Sequence, residues 1–236
     1  SQKVRSLAHA AGCGRVRVYA ATDSDCSVVI KSLVTLEIGR IMIGIPLGLM
    51  TANAVEWVMH KYVLHDMGRD PKNFWAFHFH EHHKVVRKNE YHDPNYEKFP
   101  LGLHAQGKEA WGLIAASAAV APLFPVAPFY VGTLWYCAAN YYRVHKKSHM
   151  DPAWGRANIP WHYDHHMGRN PNANWCVTKP WFDYVMGTRE FMPDASRESN
   201  VLGLHQLPQW LARRLPDPLL RGRVVGAPLK SVPSVA

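Results

Sequence analysis

Thirteen of the fifteen histidines lie between His60 and His166, and most of them fall into four short boxes. His60-Lys-Tyr-Val-Leu-His65 is the first and His78-Phe-His-Glu-His82-His83 the second; His145-Lys-Lys-Ser-His149 and His162-Tyr-Asp-His165-His166 follow. A neutral imidazole nitrogen is the commonest metal ligand among side chains. Two or three ligands from each box make about ten, more than one tetrahedral zinc uses. The spacing therefore points to two metal ions held close together. It also demands a fold in which segments far apart in sequence converge.

Helix geometry supports the grouping. Residues at i, i+3 and i+4 share a face, so His162, His165 and His166 project together, as do His145 with His149 and His78 with His82. His60 and His65 are five apart and diverge by roughly 140° on a straight α-helix. That pair needs a helix end or a distortion, for which Gly68, Asp70 and Pro71 lie just downstream.

Ala110–Tyr142 is a run of thirty-three residues without a charge, with Pro122, Pro125 and Pro128 at its middle. Prolines break a helix there, so the run reads as two short helices in a hairpin, about 12–15 residues each, dipping into a membrane more readily than spanning it. A hairpin returns His145 to the side on which His83 was left. Ile41–Val55 is a second uncharged run of fifteen residues; with its flanks it suits a membrane helix of about 20 residues or a re-entrant one. A large soluble helical core is the competing reading, since mean hydropathy is only −0.23.

Net charge is +9, which suits nucleic acid or an anionic membrane surface. The apolar runs favour the membrane, and no nucleic-acid-binding motif is present. Basic residues near Lys84 and Arg143 place the histidine-bearing side in the cytoplasm, although the basic N-terminus conflicts with a single first crossing. The four cysteines form no C-x-x-C pair, so neither a zinc ribbon nor a disulfide framework is expected.

The boxes H-x4-H, H-x3-H-H, H-x3-H and H-x2-H-H resemble those of the membrane-bound fatty acid hydroxylase/sterol desaturase superfamily. Asn174–Thr188, ending in Phe182-Asp183 and Gly187-Thr188, is similar to that family's tail signature, and Glu56-Trp57 before the first box also fits. The resemblance covers roughly residues 45–190. It implies an all-α, membrane-embedded helical domain with short apolar helices in a hairpin and a His-rich helical cap facing the cytoplasmic or stromal side. It also implies two iron ions, with zinc a possible substitute, and dioxygen as co-substrate. Carried over box by box, the ligands are His60, His65, His78, His82, His83, His145, His149, His162, His165 and His166. The second box departs from the commoner spacing, which would put a ligand at Phe79. Either His78 serves instead or His80 does; the i,i+4 relation to His82 favours His78.

The implied activity is oxygen-dependent hydroxylation of an unactivated C–H bond in a fatty acyl, sphingoid, sterol or carotenoid lipid, with desaturation the alternative. Electrons then come from a separate cytochrome b5- or ferredoxin-type donor. Asp66, Glu81, Asp151 and Asp164 are candidates for orienting the imidazoles, and Trp161, Trp175 and Trp181 for lining a lipid slot. His92 and His104 read as structural or supporting, and His9 and His205 as surface residues. A zinc hydrolase would want H-E-x-x-H, which is absent. A non-catalytic metal-binding or transport protein is a further alternative. The domains are a flexible basic N-terminal segment, 1–27, with the composition of an organelle-targeting sequence; the hydroxylase-like domain, 28–192; and a Pro- and Arg-rich tail, 193–236, with an amphipathic stretch at 207–220.

Overall fold

A computed structural model describes residues 23–190 together with Trp210 and Arg214. Residues 1–22 and the rest of the tail lie outside the described residues, and with them His9, His205 and most of the 207–220 stretch. The chain divides into two compact units, Ser1–Arg40 and Ile41–Ala236. In the first, the described residues form the opening turns of helix α1 (Asp23–Val58), which therefore begins inside the segment expected to be flexible. Everything below concerns the second unit.

Among the described residues the secondary structure is helical, with no β-strand. After α1 come two π-helices, π1 (Met59–Met67) and π2 (Phe77–His82), then α2 (His83–Lys88), α3 (Ala105–Val120), α4 (Pro128–Met150), α5 (Pro152–Asn158), α6 (Pro160–Met167) and α7 (Trp181–Val185). The segment Ile41–Met67 is, among the described residues, the one helix long and apolar enough to cross a membrane. A core helix of a soluble protein would be mostly buried, yet only 22% of its apolar window is. Met42, Ile43, Leu47, Met50 and Val55 instead stand exposed.

The proline-broken hairpin is present. α3 ends in a short 3-10 turn at Ala121–Leu123, and α4 starts with Pro128 in its first turn, where the missing N–H costs nothing. The indole N–H of Trp135 donates to the Ser117 carbonyl across the two legs at 2.9 Å. The return leg is longer than expected, since α4 runs unbroken through the third histidine box. Nothing in Arg143–Met150 interrupts it until Pro152, which disfavours helical geometry at Asp151. The third box thus rides on the hairpin itself rather than on a separate cap.

α1 approaches α4 through Gly44 and Gly48. A Cβ at Gly48 would lie 2.8 Å from Thr133 Cβ, and one at Gly44 would lie 3.0 Å from the Phe129 side chain and the Tyr130 backbone. Small residues four apart let two helices pack closely. Apolar cores are small, namely Val144, Ile159, Trp161 and Val177 in one and Trp57, Trp175 and Cys176 in another. Alongside them, His60, His65, His145, His149, His162, His165 and His166 rank among the largest fully buried side chains. Burying that many polar rings is costly unless each is satisfied.

Candidate metal centre

The spacing problem of the first box is solved by helix type. A π-helix closes i→i+5 hydrogen bonds, so residues five apart fall nearly in line, and π1 carries His60 and His65 to one buried side. π2 does the same for the second box, with the backbone N–H of His83 donating to the carbonyl of His78, five residues back. The third and fourth boxes use ordinary helical spacing on α4 and α6.

All ten expected ligands are buried. Nine of them form two groups that could each hold a metal ion: His60, His65, His78, His83 and His165 in the first, and His82, His145, His149 and His166 in the second. The tenth, His162, has its Nε2 3.3 Å from that of His149, on the second group's side. The groups are not the two sequence halves. Adjacent His82 and His83 point into different groups, as do His165 and His166. The His83 and His166 rings, 4.2 Å between centroids, join the two.

Backbone and carboxylate acceptors aim the rings. His60 Nδ1 donates to the Trp175 carbonyl at 2.5 Å, His165 Nδ1 to Ala173 at 2.7 Å and His149 Nδ1 to Tyr91 at 2.9 Å. His82 Nδ1 donates to Asp93 at 2.8 Å and His145 Nδ1 to Glu109 at 2.5 Å. Each of these bonds fixes the tautomer and leaves the Nε2 lone pair facing inward. His60 Nε2 lies 2.9 Å from His78 Nε2, and His165 Nε2 lies 3.2 Å from those of both His65 and His83. His82 Nε2, His145 Nε2 and both ring nitrogens of His166 are buried with no hydrogen-bond partner. Converging lone pairs without donors are what a cation satisfies, and an all-imidazole donor set suits iron or zinc.

Electrostatics agree. Burial first, then the charge of neighbouring imidazoles, holds His78, His83 and His166 well below the ordinary histidine value. His149 and His162 are lowered in the same way, and His165 is pushed down to about 3, mainly by burial. At neutral pH these rings are uncharged, the form that ligates a metal. Asp93, which burial alone would raise, is held below the usual carboxylate range by His82 and by the N–H groups of Asn95.

Local strain serves the same end. Tyr91 has φ 79°, a left-handed conformation rare for a bulky residue, and its carbonyl is the acceptor for His149. Its ring fits only because residue 155 is glycine, where a Cβ would come within 2.7 Å of Tyr91 Cε1.

The tail signature contains none of the grouped histidines; it holds the scaffold. Asp183 accepts the backbone N–H of Trp175 at 2.8 Å and of Cys176 at 2.9 Å, and the Thr188 hydroxyl at 2.8 Å. That fixes the Trp175 carbonyl to which His60 donates. Glu56 accepts the N–H groups of Val177 and Thr178, both at 2.6 Å, and the Trp57 indole donates to Thr188 at 3.0 Å. Glu56 and Trp57 thus tie α1 to this loop.

Several supporting roles differ from expectation. Asp66 and Glu81 are exposed, Asp151 caps α5 through the Trp154 N–H, and Asp164 pairs with Arg189 at 3.1 Å. Asp66, Glu81 and Asp164 adjoin expected ligands in sequence, but on a helix adjacent residues face apart. The carboxylates that do orient rings, Asp93 and Glu109, sit 11 and 36 residues from the histidines they touch, so proximity in sequence could not find them. Glu109 left one trace, as the charge that bounds the long apolar run. His80 turns aside to the Arg69 carbonyl at 2.8 Å, and His104 caps α3.

A cavity of about 490 Å³ runs along α1 and π1 from Leu49 to Leu64, walled by α3 and α4, and reaches His60 and His78 of the first group. Its lining is predominantly apolar, with Leu113, Val120 and Leu134 among its walls. Trp181 lines it; Trp161 and Trp175, expected there, are instead packed in the core, Trp175 against the His65 and His165 rings. Comparison with family models, curated proteins and solved structures gives no match.

Proposed function

We propose that this chain is a membrane-bound non-haem diiron oxygenase that hydroxylates an unactivated C–H bond of a lipid. The observation that carries this reading is the joining of an apolar cavity to buried histidines whose lone pairs converge, with His60 and His78 belonging to both. The resemblance of the boxes and tail to the fatty acid hydroxylase/sterol desaturase superfamily points the same way. The chemistry that iron supplies when bound there is the activation of dioxygen against a C–H bond. The first group would hold one ion through His60, His65, His78, His83 and His165. His82, His145, His149 and His166, with His162 beside them, would hold the other.

The protein's own part is positioning and exclusion of water. Leu113, Val120 and Leu134 would hold an alkyl segment along the cavity, and burial of apolar surface there contributes roughly 25 cal/mol per Å². Trp75, Phe77 and Trp181, also in the lining, would keep the reacting carbon dry near His60 and His78. Exposed apolar side chains on α1 (Met42, Ile43, Leu47) and on the hairpin (Ile114, Phe124, Val126) form the lipid-facing surface, with the histidine side toward the cytoplasm. Electrons come from a separate cytochrome b5- or ferredoxin-type protein.

The test is lipid profiling of a host expressing the full chain or its His165→Ala variant. A hydroxylated lipid present only with the wild-type chain is the expected result; a new unsaturated lipid would assign desaturation instead. If no new species forms and iron-loaded protein consumes no oxygen with reductant and lipid, the oxygenase reading is wrong.

A further inference from the structure

We propose that the two histidine groups are unequal metal positions: the second, compensated by Asp93 and Glu109, fills first and holds its ion tighter, while the first fills second and faces the substrate. This rests on the two-metal reading above, and on the contrast between what surrounds each group.

Among the described residues, the carboxylates hydrogen-bonded to grouped histidines are Asp93, on His82, and Glu109, on His145, and both fall on the second group. Asp93 accepts from His82 and also from the Gln106 side-chain amide, at 2.5 Å, and from Asn95. Glu109 accepts from His145 and, through its other oxygen, from the Tyr96 hydroxyl at 2.7 Å. Asp93 is fully buried and Glu109 nearly so. A carboxylate bonded to the far nitrogen of a ligating imidazole raises its basicity, and it offsets part of the charge of a buried dication. Among the described residues, no carboxylate is hydrogen-bonded to a histidine of the first group. His60 and His165 donate to neutral backbone carbonyls.

Access divides the same way. Of the nine grouped histidines, His60 and His78 line the large cavity, and both belong to the first group. No histidine of the second group lines it. The cavity therefore meets the first group at two of its histidines and the second only at Glu109, the carboxylate behind His145. Asp93 and Glu109 are positioning residues that act through His82 and His145.

Metal titration separates these roles without any need for turnover. Metal-free full-length protein is titrated with cobalt(II), followed by its visible absorbance and by calorimetry. Wild type should take up two ions in two resolved steps, about tenfold or more apart. Glu109→Gln and Asp93→Asn should each weaken the tight step ten- to a hundredfold, roughly the cost of losing such an outer partner, and leave the weak step in place. His78→Ala, which removes a ligand of the first group alone, should weaken the second step and spare the first. A general loss of structure would move both steps. Two ions taken up in one step by wild type, or a Glu109→Gln change confined to the weak step, would overturn the inequality while leaving the two-metal reading intact. Uptake of fewer than two ions would overturn both. The wild-type isotherm decides even if a variant does not fold.

Discussion

Asp183 shows how a residue with no metal to bind can still govern the site. Its carboxylate holds the N–H groups of Trp175 and Cys176 and the hydroxyl of Thr188, and through Trp175 it sets the acceptor for His60. In Asp183→Asn one oxygen becomes an NH2 group that faces a donor. A buried donor left unpaired costs about 1–3 kcal/mol, so we expect a drop of that size in stability, read as a lower thermal midpoint in detergent. An unchanged midpoint would contradict this role. At this scale the histidines that cluster were legible, because one residue type repeats at helical spacing. Asp93, Glu109 and Tyr91 were not legible. Each meets its histidine across a fold contact, and Tyr91 acts through a backbone carbonyl that any residue could supply.

At the scale of elements, the hairpin could be read from its prolines, and the need for a distortion between His60 and His65 from the five-residue interval. The form of that distortion could not. A π-helix has no composition of its own and arises where packing favours an extra residue per turn. The close approach of α1 and α4 was equally silent, because Gly44 and Gly48 sit in a run already read as apolar. It is testable. At Gly48 the Thr133 side chain leaves no room for a Cβ, whereas Gly132 on α4 has nothing within 4 Å of one. Gly48→Leu should destabilise the protein by about 1–3 kcal/mol, as overpacking does. Gly132→Leu should change stability by less than about 0.5 kcal/mol. Equal midpoints for the two variants would mean that α1 and α4 do not pack as described.

Across the whole molecule, histidine boxes on π1, π2, α4 and α6 meet in one buried cluster beneath an apolar cavity. In the sequence the boxes form two halves, residues 60–83 and 145–166, with two boxes each. The structure instead interleaves them, since each His-His pair divides between the groups, and neither group is complete without residues from both halves. Metals held by these groups would crosslink the fold, and metal binding should be inseparable from the folding of this unit. The most direct measurement is the metal content of the full-length protein purified anaerobically from iron-supplied cells, by elemental mass spectrometry against protein concentration. Two ions per chain are expected, falling sharply in His165→Ala. One ion or none in the wild type, or two retained by the variant, would contradict a two-metal histidine centre.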